Sequence, residues 1–193
     1  MRNMKWKTEI LTIPNLISLF RLILIPVYMS VYLKAENSRQ YFQAGLILAL
    51  SCATDAIDGK IARQFHMTST VGRILDPVAD KLTQFILILC LSVRYPILNS
   101  VMGLFLVKEL FQIGMGVFHL HHGKMLPGAL MAGKICTAVL FISLLILVLF
   151  PDIHKIFVYT VAITDLIFLS ISLICYFSAY FGREIKVQDF RNE

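Results

Sequence analysis

The chain has 193 residues and a formal net charge of +6. Hydrophobic residues make up 58% of it and charged residues only 16%, against about 45–50% and about 25% in soluble domains. This composition excludes an ordinary soluble domain, a disordered chain, a collagen and a disulfide scaffold. In so apolar a chain, the positive charge favours an anionic membrane face as partner and argues against nucleic acid.

The first eleven residues are predicted to form an interfacial helix, because Trp6 lies among cations and an indole among cations suits the headgroup layer. A solvated tail is the alternative. Six apolar segments follow, each near the length of about 20 residues that a bilayer requires. They are predicted at 16–33, 40–63, 73–93, 98–120, 128–150 and 155–181. The connections are short, so 1–193 is predicted to be a single all-α membrane domain with six transmembrane helices.

The distribution of Lys and Arg predicts the orientation of these spans. Of the 18 such residues, ten fall on the side of the two termini, four fall on the opposite side and four fall inside spans. Since cytoplasmic loops carry the excess of Lys and Arg, both termini are predicted to be cytoplasmic. The four cysteines lie far apart in apolar runs and are predicted to be buried thiols: Cys52, Cys90, Cys136 and Cys175.

Acidic residues inside or at the ends of the spans need an explanation, because each charge at a helix centre costs about 2.5–3.5 kcal/mol on insertion scales. Four of the six are aspartates in the second and third spans. The six are Asp55, Asp58, Asp76, Asp80, Glu109 and Asp165. Ion pairing with Lys60, Arg63 and Lys81 is one explanation, but it leaves the spacing of the four aspartates unexplained.

The spacing places these acids on two helix faces. Asp55 and Asp58 share a face with the small residues Gly59 and Ala62, at i, i+3, i+4 and i+7. On the next helix Gly72, Asp76 and Asp80 follow at i, i+4 and i+8. The loop 64–71 is short enough to make the two helices antiparallel neighbours, so two carboxylates from each are expected to converge. Ligation by carboxylates alone suits Mg²⁺ or Mn²⁺, completed by water and phosphate oxygens.

The run Asp55-x2-Asp58-Gly59-x2-Ala62-Arg63-x8-Gly72-x3-Asp76-x3-Asp80 resembles, at every fixed position, the signature of the CDP-alcohol phosphatidyltransferases. The opening Pro14-Asn15-Leu-Ile-Ser18-Leu-Phe-Arg21 extends the resemblance. It implies a six-helix bundle in the cell membrane, often a homodimer, with a polar cavity open to the cytoplasm. It also implies transfer of a phosphatidyl group from CDP-diacylglycerol to an acceptor alcohol, with release of CMP.

The resemblance further implies roles for individual residues. Asp55, Asp58 and Asp76 hold two divalent ions with the diphosphate, and Asp80 both borders the ions and acts as general base. The other positions are expected to bind the CDP-lipid: Asn15, Ser18, Gly59, Ala62, Arg63, Ser69 and Gly72. Ser18 stands where the family more usually has Thr.

The sequence specifies the acceptor alcohol less closely than it specifies the CDP-lipid donor. Similarity around 13–15, 75–81 and Gly133-Lys134-x-x-Thr137 is closest to the phosphatidylglycerophosphate synthases, which predicts glycerol 3-phosphate. Those enzymes often carry Arg-Glu where this chain has Lys108-Glu109, so a cardiolipin synthase of the same family, with phosphatidylglycerol as acceptor, is the alternative. The candidates for an acceptor phosphate are Lys108, Lys134 and Arg21. Pairing of Lys108 with Glu109 and snorkelling of Lys134 are the competing interpretations.

Two further features have simpler interpretations. The cluster of His119, His121 and His122 is predicted to be solvated or to face headgroups, since a zinc site needs more ligands at defined geometry. Asp165 is predicted to pair in the core or to line a cavity. A transporter is the alternative from another functional class, because intramembrane acids also mark ion pathways, although this chain shows no duplicated halves.

Overall fold

The structure, a computed structural model, describes residues 13–50, 72–121 and 130–181. Within these ranges the chain forms helices and no strand. The helices are α1 (Ile13–Leu33), α2 (38–50), α3 (Gly72–Arg94), α4 (Leu98–His121), α5 (Met131–Leu149) and α6 (Lys155–Phe181). Each falls on a segment that the sequence predicted to be helical. The interfacial helix over residues 1–11 and the second span beyond residue 50 lie outside the described residues.

Three of the described helices are long and apolar enough to cross a membrane, which makes the chain a membrane protein. They are Leu98–His119, Met131–Leu149 and Lys155–Phe181, in agreement with the last three predicted spans. Among the residues of α1 whose side chains the structure describes, Leu22–Leu33 forms a shorter apolar stretch. Helix α3 has the length, at 23 residues, but its first half carries several charged residues. Whether α1, α2 and α3 also cross the bilayer therefore stays a prediction.

Local sequence signals fix several helix ends. At the start of α2 the side chain of Gln40 accepts hydrogen bonds from the backbone N–H groups of Glu36 (2.7 Å) and Asn37 (3.4 Å). This is the backward reach of a capping box, which satisfies donors that have no partner inside the helix. Helices α3 and α5 each end two residues before a proline, Pro96 and Pro151. The residue before a proline disfavours helical geometry, so both helices stop there.

The described residues divide into two compact units, and the first contains α1, α2, α3 and residues 144–153. Helices α1 and α3 pack against each other. Near their carboxyl ends both contact Tyr41: its ring centre lies 5.0 Å from that of Tyr32 on α1, and the Arg94 guanidinium on α3 lies 4.5 Å from it. Helices α1 and α3 therefore run parallel, with their amino ends together at the opposite end.

Polar contacts join three chain connections at this carboxyl end of α1 and α3. Arg94 donates a hydrogen bond of 2.9 Å to the carbonyl of Pro151, and its guanidinium lies 3.9 Å from the Asp152 carboxylate. The Ser38 hydroxyl donates to the same carboxylate at 2.8 Å. The connections after α1, α3 and α5 thus meet at one end of this unit. The short connections predicted from the sequence lead to this arrangement, because every second connection then lies at the same end of the helices.

The second unit contains α4, α6 and residues 131–143 of α5. Helix α6 buries one stripe at the spacing of a packed helix: Val158, Ala162, Asp165, Leu169, Ser172 and Tyr176. Two contacts with α5 fix the direction of this packing, because Ser143 contacts Asp165 and Gly133 contacts Tyr176. Moving towards the carboxyl end of α5 means moving towards the amino end of α6, so the two helices are antiparallel.

Candidate functional site

Helix α3 places three of the predicted site positions along one face. Gly72, Asp76 and Asp80 follow each other at intervals of four residues on a continuous helix, so they lie about 6 Å apart along its axis. The structure describes the backbone at Gly72 and Asp76 and the side chain at Asp80. The sequence predicted this register, and the helix confirms it.

The Asp80 carboxylate lies at the boundary between a packed and an open part of α3. Its neighbour Ala79 is completely buried and Thr83 is 6% exposed, whereas Asp80 is exposed. The Thr83 hydroxyl donates to the Ala79 carbonyl at 2.8 Å, so this polar group is satisfied within the helix. One side of α3 therefore packs inside the unit, and the Asp80 carboxylate stays accessible to a ligand.

The parallel packing of α1 and α3 brings a second predicted group to the same end. Asn15 and Ser18 lie one turn apart in the first turns of α1, and Asp76 lies in the second turn of α3. Since the amino ends of α1 and α3 are together, these positions share one end of the unit. The structure describes only the backbone at Asn15, Ser18 and Arg21.

The remaining positions of the predicted donor and metal site lie outside the described residues. These are Asp55, Asp58, Gly59, Ala62, Arg63 and Ser69. Within the described ranges no cluster of three or more His, Cys, Asp or Glu side chains is suited to hold a metal ion. The described residues contain one half of the predicted ligand set, on α3, and this half consists of carboxylates alone.

Lys108 on α4 makes the contact that the sequence offered as the alternative to acceptor binding. Lys108 is only 1% exposed to solvent, and its ammonium nitrogen lies 2.7 Å from a carboxylate oxygen of Glu109. A buried cation requires such a partner, because an uncompensated charge in a low-dielectric interior is strongly unfavourable. The pair therefore accounts for the burial of Lys108, and a role in acceptor binding stays a prediction.

Lys134 has a different environment. It lies in the first turn of α5, is exposed, and forms no ion pair within the described part of the chain. The Thr137 hydroxyl lies within hydrogen-bonding distance of the backbone carbonyls of Gly133 (3.1 Å) and Lys134 (2.9 Å). These bonds connect the three named residues of the Gly133-Lys134-x-x-Thr137 segment in one helical turn, with the Lys134 ammonium accessible.

Asp165 pairs in the core, as one of the two interpretations of the sequence predicted. It is 1% exposed, and both of its carboxylate oxygens lie 2.8 Å from the Ser143 hydroxyl oxygen. Ser143 also lies 2.9 Å from the carbonyl of Leu140. Ser143 was not among the residues predicted from the sequence to be functional. Its signal is visible only once α5 and α6 are known to be antiparallel, since that register sets Ser143 opposite Asp165.

Replacing Ser143 by alanine is expected to destabilise the fold without affecting catalysis, because Asp165 is then buried without its hydroxyl partner. An unsatisfied buried polar group costs about 1–3 kcal/mol, which lowers the thermal midpoint in detergent by several degrees at this chain length. Thr164→Ala is the matched control, since Thr164 bonds only within α6. The double variant Ser143→Ala/Asp165→Leu is expected to recover most of the loss. Equal midpoints for Ser143→Ala and Thr164→Ala would contradict this account.

The predicted exposure of the histidine cluster is wrong for His119. This ring is 4% exposed, its Nδ1 lies 3.0 Å from the Met115 carbonyl, and its centre lies 5.0 Å from that of Tyr180. It packs between α4 and α6 because a backbone carbonyl one turn earlier satisfies it inside the helix pair. His121 is exposed as expected, and His122 lies outside the described residues. Cys90 and Cys136 are buried thiols as predicted, Cys175 is half-buried, and Cys52 is not described.

Comparison with known proteins gives a family match over most of the chain. Residues 11–176 match the family model described as CDP-alcohol phosphatidyltransferase. A stretch of 76 residues is 42% identical to a cardiolipin synthase (CMP-forming) of Streptomyces coelicolor, over 38% of this chain and 35% of that protein.

Two further relatives are named CDP-diacylglycerol–glycerol-3-phosphate 3-phosphatidyltransferase. The one from Pseudomonas fluorescens is 40% identical over 72 residues, which are 37% of this chain and 36% of that protein. The one from Escherichia coli is 40% identical over 84 residues, which are 43% of this chain and 45% of that protein. The matched stretches therefore span less than half the length of each of these relatives.

Proposed function

Because the chain belongs to the CDP-alcohol phosphatidyltransferase family, we propose that it transfers a phosphatidyl group from CDP-diacylglycerol to glycerol 3-phosphate. The products are phosphatidylglycerophosphate and CMP. The observation that carries this proposal is the eight-position acidic signature, which lies inside the matched range 11–176. The relatives whose names specify glycerol 3-phosphate, at about 40% identity, support the choice of acceptor.

We assign the site in two parts. Asp55, Asp58, Asp76 and Asp80 are the proposed metal ligands. The CDP-lipid is bound by the residues that match the family pattern: Asn15, Ser18, Gly59, Ala62, Arg63, Ser69 and Gly72. Two observations support the assignment: the shared face of Gly72, Asp76 and Asp80 on α3, and the common end of α1 and α3. Arg63 supplies a fixed positive charge for the diphosphate.

Divalent cations are the general cofactor of this family, and the residue types that the sequence places on α3 fit them. Asp76 and Asp80 are carboxylates one turn apart, the oxygen donors that Mg²⁺ and Mn²⁺ prefer. We propose that two such ions are held by the four aspartates. When bound, they neutralise charge on the diphosphate and on the CMP leaving group.

Asp80 is the proposed general base. A hydroxyl is a poor nucleophile at neutral pH, and a carboxylate within about 3 Å takes up its proton as it attacks. The acceptor oxygen forms a bond to the transferred phosphorus, the bond from that phosphorus to the CMP oxygen breaks, and the acceptor's proton passes to Asp80. The exposure of the Asp80 side chain, beside completely buried Ala79, supports this role.

The acceptor phosphate is assigned to Lys134, with Lys108 and Arg21 as further candidates. Lys134 is favoured because it is exposed and forms no ion pair within the described residues, whereas Lys108 is buried against Glu109. The similarity to a cardiolipin synthase favours phosphatidylglycerol as the second candidate acceptor. CMP release by purified protein, measured with CDP-diacylglycerol and either alcohol, decides between them. No CMP release with any alcohol would favour the transporter alternative.

The remaining proposals concern assembly and placement. We propose a homodimer in the cell membrane, with CDP-diacylglycerol and surrounding lipids as partners and with both termini and the site facing the cytoplasm. The excess of Lys and Arg on the side of the termini supports this orientation. The connections after α1, α3 and α5, which meet at the opposite end of the first unit, then face away from the cytoplasm.

Single cysteines test the orientation in a background that lacks the four native thiols. Cysteines at Thr68 and Lys124 are expected to resist a membrane-impermeant reagent in intact cells and to react after permeabilisation. A cysteine at the exposed Glu36, in the connection after α1, is expected to react in both conditions. Labelling of positions 68 and 124 in intact cells, with position 36 protected, would reverse the proposed orientation.

A further inference from the structure

The first turn of α5 makes an unusually close contact with α6. A methyl group added at Gly133 would lie 2.5 Å from the Tyr176 hydroxyl oxygen and 2.9 Å from its Cε2 atom. Real side-chain carbons do not approach this closely, so one of the two residues must shift. Tyr176 is only 8% exposed and stacks on Tyr180 at 6.4 Å, so it has little room to move away. Glycine at position 133 is therefore matched to the tyrosine.

The same turn carries Lys134 on another side of the helix. Successive residues of an α-helix differ by about 100° in direction, so the Lys134 side chain leaves α5 away from the direction of Gly133. The Thr137 hydroxyl bonds to the carbonyls of both residues. Any displacement of Gly133 from Tyr176 is consequently transmitted to the backbone of Lys134.

From this arrangement we propose that Tyr176 is a positioning residue: seated on Gly133, it fixes the first turn of α5 and thereby places the Lys134 ammonium for the acceptor phosphate. The inference rests on the proposed function, because it takes Lys134 to bind the phosphate of glycerol 3-phosphate. It goes further by assigning the placement to a contact between α5 and α6. The other two named residues of the Gly133-Lys134-x-x-Thr137 segment then have physical roles. Gly133 leaves room for the Tyr176 ring, and Thr137 bonds to the backbone carbonyls of Gly133 and Lys134.

Four variants test the proposal by steady-state kinetics of CMP release. Gly133→Ala is expected to raise the KM for glycerol 3-phosphate about tenfold, which corresponds to about 1.4 kcal/mol of acceptor binding, with the KM for CDP-diacylglycerol unchanged. Gly133→Ala/Tyr176→Leu is expected to bring the acceptor KM most of the way back, because leucine lacks the atoms that collide and the added methyl group fills part of the space left by the ring. Tyr176→Leu alone is expected to raise the acceptor KM, because nothing then fills the space beside Gly133, and a normal KM in this variant would contradict the positioning role. Gly103→Ala is the matched control, since nothing lies within 4 Å of a methyl group there.

A second readout does not depend on activity. The rate at which a water-soluble amine reagent modifies Lys134, followed by mass spectrometry, is expected to change in Gly133→Ala, to return in the double variant and to be normal in Gly103→Ala. If the wild-type enzyme does not use glycerol 3-phosphate as acceptor, the proposed acceptor is wrong. The labelling pattern still reports whether the contact with Tyr176 positions Lys134. Equal KM and labelling in Gly133→Ala and Gly103→Ala would overturn the inference, as would a defect that the Tyr176→Leu change does not relieve.

Discussion

Replacing Asp80 by asparagine is expected to lower turnover by about 10²–10⁴-fold, the usual contribution of a positioned base, while CDP-diacylglycerol still binds. Asparagine has nearly the same size and keeps one oxygen ligand, but it has no basicity. The measurement is donor affinity together with CMP release at saturating Mg²⁺. Because Asp80 is exposed on α3, the substitution is not expected to disturb the packing around Ala79 and Thr83.

Asp55→Asn separates the role of a base from the role of a ligand. This variant is expected to weaken binding of the donor itself, since Asp55 is proposed to act only through the metal and the diphosphate. Asp152→Asn serves as a control for loss of one carboxylate, because Asp152 is exposed and bonded to Ser38. Near-normal turnover in Asp80→Asn, or a loss of donor binding equal to that of Asp55→Asn, would show that Asp80 is only another ligand.

The helices were the part of the fold most open to prediction from the sequence. Apolar segments of spanning length have few alternatives in a membrane, since every backbone group must be satisfied within the segment. The placement of Gly72, Asp76 and Asp80 on one face followed from the repeat of the α-helix. The boundaries also followed simple chemistry, as Pro96 and Pro151 each stop a helix.

The contacts between helices were not open to prediction in the same way. The pairing of Asp165 with Ser143 depends on which helices are neighbours and on their register, and a single sequence contains neither. His119 shows the same limit: its position near the end of α4 suggested exposure, but packing against Tyr180 buries it. Gly133 was visible only as part of a family-like segment, and the contact with Tyr176 supplies the physical reason for glycine there.

Removal of divalent cations is expected to abolish CMP release, and Mg²⁺ or Mn²⁺ is expected to restore it. Four carboxylates predicted to converge repel one another in a bilayer unless positive charge separates them, and bound cations supply that charge. The proposed diphosphate substrate adds more negative charge at the same place. The measurement is the initial rate in excess chelator, followed by titration with each metal. Full activity in excess chelator would exclude the metal-dependent site.

Asp58→Asn tests whether the aspartates, and not the diphosphate alone, hold the cations. Groups that merely orient metal ligands already contribute about 10–100-fold to affinity, so losing a ligand is expected to raise the Mg²⁺ concentration for half-maximal rate at least about tenfold. The maximal rate is expected to fall as well, because a displaced cation no longer neutralises the leaving group. Asp152→Asn, which alters an exposed carboxylate at the carboxyl end of α1 and α3, is expected to leave the metal titration unchanged. If both variants titrate like the wild type, the cation is carried by the nucleotide and the acidic signature serves another purpose.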